Sequence, residues 1–271
     1  MKITDLLDPR SISLDAAPTS KSETLDKAVE LMAASGKLSD VEAFRKQVYA
    51  REEESTTGIG EGIAIPHGKC DAVDRPGLAA MVIKDGVDFD SINGDPVTLL
   101  FLIAAPNTED NVHLDVLSKL SVLLMDEEFS KSLRNAKSVD EFLSIVDKAD
   151  DEKPDIDERL ESTNISNESG KKILAVTSCP TGIAHTYMAA EGIEKAASAA
   201  GVNVKIETRG SGGAKNVLTD NDIKEADCII VAADAKVPME RFDGKKVIEC
   251  QVSDGINKAD ELIKRAVNGD A

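Results

Sequence analysis

Apolar and polar positions change rhythm several times along the chain, and each change predicts an element. "SETLDKAVELMAAS" sets Leu25, Ala28, Val29 and Met32 at helical spacing, with Ser22 as the predicted N-cap. "SDVEAFRKQVYAREE" opens on a predicted capping box, Ser39 with Glu42. Apolar runs at "IAIPH", "LAAMVI" and "VTLLFLIA" predict strands. Helical spacing returns in "HLDVLSKLSVLLMD" and in "SVDEFLSIVDKA", where Ser138 and Glu141 form a second predicted box.

The second half is more regular. "KILAVTS", "NVKIET", "CIIVAAD" and "KVIEC" alternate with helical stretches such as "AHTYMAAEGIEKAASAAG" and "DGINKADELIKRAVN". Strands this continuously apolar predict a parallel sheet covered on both faces, whose ligands bind at the carboxyl ends of its strands. Between the halves, Asp150, Asp151, Glu152, Asp155, Asp157, Glu158, Glu161 and Glu168 crowd a stretch with no apolar period. It reads as an exposed, self-repelling linker, reaching roughly 70 Å when extended at ~3.3–3.6 Å per residue. The expected organisation is α/β throughout, with one domain over 1–149, a flexible acidic linker over 150–170 and a second domain over 171–271.

Composition narrows the function. The 271 residues are 41% hydrophobic and 30% charged, with a formal charge of −18. Such an excess of carboxylates argues against nucleic acid or an anionic membrane surface as partner, since both select clustered Lys and Arg. The longest apolar run, Val97 to Pro106, is about half the ~18–20 residues that cross a bilayer. The start, "MKITDLLDPRS", has no basic stretch followed by an apolar one. Cys70, Cys179, Cys228 and Cys250 are scattered and form no C-x-x-C pair. A cytoplasmic protein with reduced thiols is expected.

The candidate chemistry gathers at two places. Cys179, in "TSCPTGIAHTYMAAE", leaves a predicted strand and is followed by a helix start. Backbone N–H groups there suit an anion, Gly182 allows close approach, and Thr181 and Thr186 offer hydroxyl donors. The same setting favours a thiolate, although a partly buried structural cysteine at a strand end fits it equally well. A cysteine phosphatase would carry C-x5-R; the sixth residue after Cys179 is His185, and the loop holds no arginine. A thiol that takes up a phosphoryl group and passes it on remains. His185 itself can take part in the chemistry, although capping the helix or facing solvent is the plainer reading.

The other place is "STTGIGEGIAIPHGKC", where alternating Ile63 and Ile65 predict a short strand ending at Pro66, so that His67 stands at a strand end beside Gly68. An imidazole so placed can act as a neutral nucleophile. Gly58, Gly60 and Gly62 do not complete G-x-G-x-x-G, so a dinucleotide site fails. His113 opens a helix, either as an ordinary first-turn residue or as a partner of an imidazole or phosphoryl oxygen. Arg51 is the nearest upstream arginine, able to neutralise transferring charge or merely to pair with its acidic neighbours. A metal site built on His67, Cys70 and His113 lacks paired ligand spacing, so no metal is expected.

With these residues in view, the chain resembles the soluble enzyme IIA and IIB domains of the bacterial phosphotransferase system, fructose–mannitol class. The first half carries the likeness in "REEESTTGIGEGIAIPHGK" and "VHLDVLSKLS", the second in "SCPTGIAHTYMAAE", "LTDNDIKEADCIIVAAD" and "RFDGKKV". The resemblance implies an α/β sandwich with a mixed sheet, then a Rossmann-like four-stranded parallel sheet with flanking helices. It implies a phosphotransferase in which His67 accepts a phosphoryl group from phospho-HPr or an HPr-like domain, and His113 and Arg51 stabilise its charge. Cys179 then receives it within the loop Pro180, Thr181, Gly182, Ile183, Ala184, His185 and Thr186, and passes it to a sugar, expected to be fructose, in a membrane IIC domain on this or another chain. No cofactor is implied, and the location would be cytoplasmic, at the inner face of the membrane through IIC. One stretch departs from the family pattern: "TRGSGGAKNVLT", with Arg209 and an extra glycine, stands where a Gln and a Gly-Ile segment are common. The competing expectations are a regulatory protein that senses phosphorylation and, less favoured by the loop, a cysteine phosphatase.

Overall fold

The computed structural model describes residues 2–91, 94–107, 112–152, 171–179, 184–210 and 213–270, with only the backbone at 112–117 and 184. It divides into two compact units, Met1–Lys153 and Pro154–Ala271.

The first unit runs α1 (Ile3–Leu6), β1 (Leu7–Ala16), α2 (Lys21–Ala34), α3 (Val41–Glu54), β2 (Gly58–Gly60), β3 (Ile63–Ala64), β4 (His67–Cys70), β5 (Gly77–Val87), β6 (Val97–Pro106), α4 (Val112–Leu124), α5 (Glu127–Asn135) and α6 (Val139–Glu152). Its mixed sheet has the order β1-β5-β6-β3-β2, with β4 also paired to β6. Side chains alternate across this sheet, so the two faces bury different sets. Ala79, Met81, Ile83, Leu100, Leu102 and Ala104 pack with residues of α2 and α3. On the opposite face Phe101 meets Phe142 of α6, ring centroids 6.0 Å apart. The result is the α/β sandwich expected.

The predicted "IAIPH" strand is two strands. Ile63 and Ala64 pair with Leu99 and Leu100, and His67 to Cys70 pair with Ile103 to Pro106. Pro66 lacks an N–H and interrupts the ladder, although its carbonyl accepts from Ile103 N–H. His67 therefore begins a strand instead of following one.

Two predicted caps shift as well. Ser20, not Ser22, caps α2, its hydroxyl accepting from Glu23 N–H at 3.2 Å. Asp40, not Ser39, caps α3, accepting from Ala43 N–H at 3.0 Å, because Ser39 is bonded to the Ala72 carbonyl. Ser138 does accept from Glu141 N–H, while the Glu141 carboxylate reaches back to Lys137 N–H.

The linker was expected to begin at Asp150, but α6 continues through Glu152. Asp150 is buried, accepting from Ile3 N–H at 2.7 Å and paired with Lys119. A carboxylate with two partners belongs to the core, not to a tether. The rest of the expected linker, 153–170, lies outside the described residues.

The second unit runs β7 (Lys172–Ser178), α7 (Ala184–Ala199), β8 (Asn203–Gly210), β9 (Gly213–Lys215), α8 (Asp220–Glu225), β10 (Cys228–Ala233), a 3-10 turn (Met239–Phe242), β11 (Val247–Cys250), α9 (Val252–Asn257) and α10 (Ala259–Asn268). The order is β11-β10-β7-β8-β9. The four expected parallel strands are present, and three-residue β9 adds an antiparallel edge along β8. Leu174 and Val176 pack on one face with Ile223 and Phe242. On the other, α7 and α9 approach so closely that a Cβ on Gly192 would stand 2.6 Å from the Gly255 carbonyl oxygen. Among the described residues no helix is long and apolar enough to cross a membrane.

Candidate functional site

The first site is assembled at the start of β4. His67 Nδ1 lies 3.0 Å from the Ile65 carbonyl oxygen, which only accepts. The proton of a neutral imidazole is therefore on Nδ1, and the lone pair is on Nε2. Arg51 Nε donates to that Nε2 at 3.0 Å, while its Nη1 donates to the Ser55 carbonyl at 2.9 Å. A fixed cation thus stands at the imidazole nitrogen able to attack.

Helix α3 delivers the arginine. Phe44, Val48 and Arg51 lie at i, i+4 and i+7, on one helical face. The first two press on Gly68, where a Cβ would come within 2.9 Å of the Phe44 ring and 3.2 Å of Val48. The glycine after the histidine is there for close helix–strand approach.

Residues not singled out from the sequence hold the surroundings. Buried Glu52 accepts from Thr57 N–H at 3.0 Å and pairs with Lys21 at 2.9 Å. The Thr57 carbonyl in turn accepts from Ile65 N–H at 3.0 Å, steadying the residue that orients the imidazole. Gly60 and Gly62 take φ of 100° and 69°, so the glycine run makes the turn from β2 to β3. Arg134 fastens that turn, donating to the Glu61 carbonyl at 2.7 Å and to the Thr98 hydroxyl at 2.8 Å. The only sequence signal for these contacts is a charged residue within a buried pattern.

His113 falls in the first turn of α4, which packs against β6. His67 is in register with Ile103 of β6. The His113 side chain lies outside the described residues.

The second site is at the carboxyl end of β7. β8 lies on one side of β7 and β10 on the other, so Cys179 sits where the strand order reverses. That is the usual ligand position in such sheets. Cys179 is 2% exposed and packs with Ala189, Val252 and Ile256. Its N–H donates to Thr186 Oγ1 at 3.0 Å, and Thr186 Oγ1 donates to Cys179 Sγ at 3.2 Å. His185 lies in the first turn of α7, and its Nε2 is buried with no hydrogen-bond partner among the described residues. Pro180, Thr181, Gly182 and Ile183, and the side chain of Ala184, lie outside the described residues.

The other thiols of this unit are held protonated. Burial pushes Cys228 up, and burial together with Asp254 pushes Cys250 up to about 11. Arg209 donates at 2.7 Å to the fully buried Glu207, which also receives Arg241 at 2.9 Å and Leu218 N–H at 2.8 Å. Among the described residues, no three His, Cys, Asp or Glu are placed to hold a metal ion.

Comparison with known proteins agrees with this two-unit plan. Residues 5–149 match the family model "Phosphoenolpyruvate-dependent sugar phosphotransferase system, EIIA 2", and residues 173–265 match "PTS system, Lactose/Cellobiose specific IIB subunit". The chain belongs to the EIIA 2 family of the phosphoenolpyruvate-dependent sugar phosphotransferase system, with a IIB unit behind it. It is 47% identical over its full length to the fructose-specific EIIABC component of Bacillus subtilis (strain 168). It is 35% identical over 98% of its length to the 2-O-alpha-mannosyl-D-glycerate-specific EIIABC component of Escherichia coli (strain K12). The chain spans 42% and 40% of those two relatives' own lengths. Among solved structures, the nitrogen regulatory protein IIA-Ntr of Neisseria meningitidis is 31% identical over 53% of this chain and 98% of its own, with a TM-score of 0.50.

Proposed function

We propose that this chain relays phosphoryl groups from a histidine to a cysteine and on to a sugar. One observation carries the reading: His67 is held as the tautomer with its lone pair on Nε2, and a guanidinium already sits at that atom. Nε2 attacks the phosphorus of a phosphohistidine on HPr or an HPr-like domain. The Nε2–P bond forms as the donor's N–P bond breaks, and Nδ1 keeps its proton. Arg51 passes from the nitrogen to the phosphoryl oxygens, where charge spreads in a loose transition state. His113 adds stabilisation from α4.

Cys179 Sγ then attacks the same phosphorus, and the imidazole leaves neutral. A sugar hydroxyl held by a membrane IIC domain takes the group last, with the thiolate as leaving group. The backbone of residues 180–186 cradles the phosphoryl oxygens. Residues 153–170 act as an acidic tether that raises the effective concentration of one site near the other. The sugar is fructose: the relative 47% identical over the whole chain is named fructose-specific, whereas the second family match carries a lactose/cellobiose name. The chain works at the inner face of the membrane, beside IIC.

The test is the intact mass of the full chain after incubation with phosphoenolpyruvate, enzyme I and HPr. Wild type should gain up to two phosphoryl groups, His67→Ala none and Cys179→Ser one. Phosphorylation of Cys179 in the His67→Ala chain would refute the ordered relay.

A further inference from the structure

We infer that the Thr186 hydroxyl serves the sulfur of Cys179 and not a phosphoryl oxygen, making Thr186 the residue that stabilises the thiolate whenever the phosphoryl group is absent or departing. The inference deepens the relay reading and rests on it for its role in turnover. Its geometry does not depend on that reading.

The hydroxyl has one proton and two lone pairs. Cys179 N–H, at 3.0 Å, occupies a lone pair of Oγ1, which limits the directions left for the O–H bond. Sγ stands 3.2 Å away, on the donor side. Thr186 is fully buried, so water does not compete for that proton. Two atoms of the same residue, the N and the Sγ of Cys179, thus grip one hydroxyl, and neither contact requires a phosphoryl group. The hydroxyl is also carried in the first turn of α7, where the helix field favours negative charge on the sulfur.

The chemical consequence falls on the step in which sulfur gains electrons. When an acceptor oxygen bonds to phosphorus, the S–P bond breaks and its electron pair stays on Sγ. The acceptor's hydroxyl proton goes to solvent. A donor already aimed at Sγ meets that charge without reorganisation. The same bond raises the thiolate fraction before Cys179 takes a phosphoryl group from His67. A hydroxyl turned to phosphoryl oxygens would do neither.

The test reads the thiol in the absence of phosphate. Full-length wild type, Thr186→Val, Thr186→Ala and Thr186→Ser are alkylated with iodoacetamide across pH, and the Cys179 peptide is followed by mass. Hydrogen bonds to a charged group are strong enough to move a pKa by about one unit or more. Thr186→Val and Thr186→Ala should raise the Cys179 pKa by about that much, cutting the thiolate at neutral pH roughly tenfold, while Thr186→Ser stays near wild type. Serine keeps the hydroxyl in the least disruptive replacement, so it guards against reading a folding defect as chemistry. An unchanged thiol pKa in Val and Ala variants that lose only phosphocysteine would overturn the inference and assign the hydroxyl to the phosphoryl oxygens. An equal rise in Thr186→Ser would overturn it too, since the hydroxyl would not be the cause. If the relay fails while the thiol titrations behave as expected, only the proposed function falls.

Discussion

At the scale of single residues, the two atoms proposed to carry the phosphoryl group are prepared by different means. His67 Nε2 is given a lone pair and a cation through two hydrogen bonds of 3.0 Å, both made by side-chain nitrogens. Cys179 Sγ is given a donor and a helix start within a buried setting. Arg51 should therefore matter more to rate than to folding. Arg51→Ala is expected to slow phosphorylation of His67 by about a hundredfold, the usual size of losing one transition-state donor. Arg51→Lys should recover part of this, because charge returns without the planar fork. Single-turnover transfer from phospho-HPr measures it, and an unaltered rate would reduce the Arg51–His67 bond to a resting contact. The elevated thiols of Cys228 and Cys250 also mean that mild alkylation at neutral pH should spare both.

At the scale of elements, α3 and β4 act as one part. The helix lies close because Gly68 has no side chain, and that closeness brings Arg51 to His67. Gly68→Ala places a methyl 2.9 Å from the Phe44 ring, an overpacking that costs about 1–3 kcal/mol. It should lower the melting temperature and also slow His67 phosphorylation, with both site residues intact. Wild-type transfer in a variant of wild-type stability would show that the helix does not set the site. Much of this level was legible in advance. Strand periodicity placed Cys179 just past the end of its strand, although it put His67 after a strand that His67 in fact begins. Alternation of strands and helices gave the parallel sheet of the second unit, while the sandwich of the first came from the family resemblance. The caps were misplaced by one or two residues because "PTSKS" and "LSD" each offer several polar side chains. Which one caps depends on contacts from afar, such as the Ala72 carbonyl that engages Ser39. Thr186 was recognisable as a donor, but its target depends on a rotamer that spacing does not encode. Glu52, Asp150 and Glu207 were invisible as buried groups. In a chain of charge −18 a carboxylate reads as surface, and partners such as Ile3 and Arg241 lie 147 and 34 residues away.

At the scale of the molecule, each unit has its own sheet and core, so stability is local to each. Asp222 illustrates the point within the second unit. Burial works to raise its pKa, but Lys205 at 2.6 Å and the Thr219 donors prevail and hold it at about 2. A folded-state pKa below the unfolded one contributes stability that is complete above about 4 and is lost as pH falls toward 2. Asp222→Asn should cost about 1–2 kcal/mol at pH 7, a deficit that closes over that acidic window. Native-state hydrogen exchange would register it in β7 and β10 and leave β5 and β6 unchanged. An equal loss in both units would contradict separate stabilities. The burial of Cys179 has another consequence at this scale. Peroxide oxidises thiolates at a rate that depends on how readily it reaches them, and Cys179 is 2% exposed and packed with Ala189 and Val252. The packing that sets the sulfur against Thr186 slows every reagent that must reach it, so peroxide should oxidise Cys179 more slowly in the folded chain than in the unfolded one.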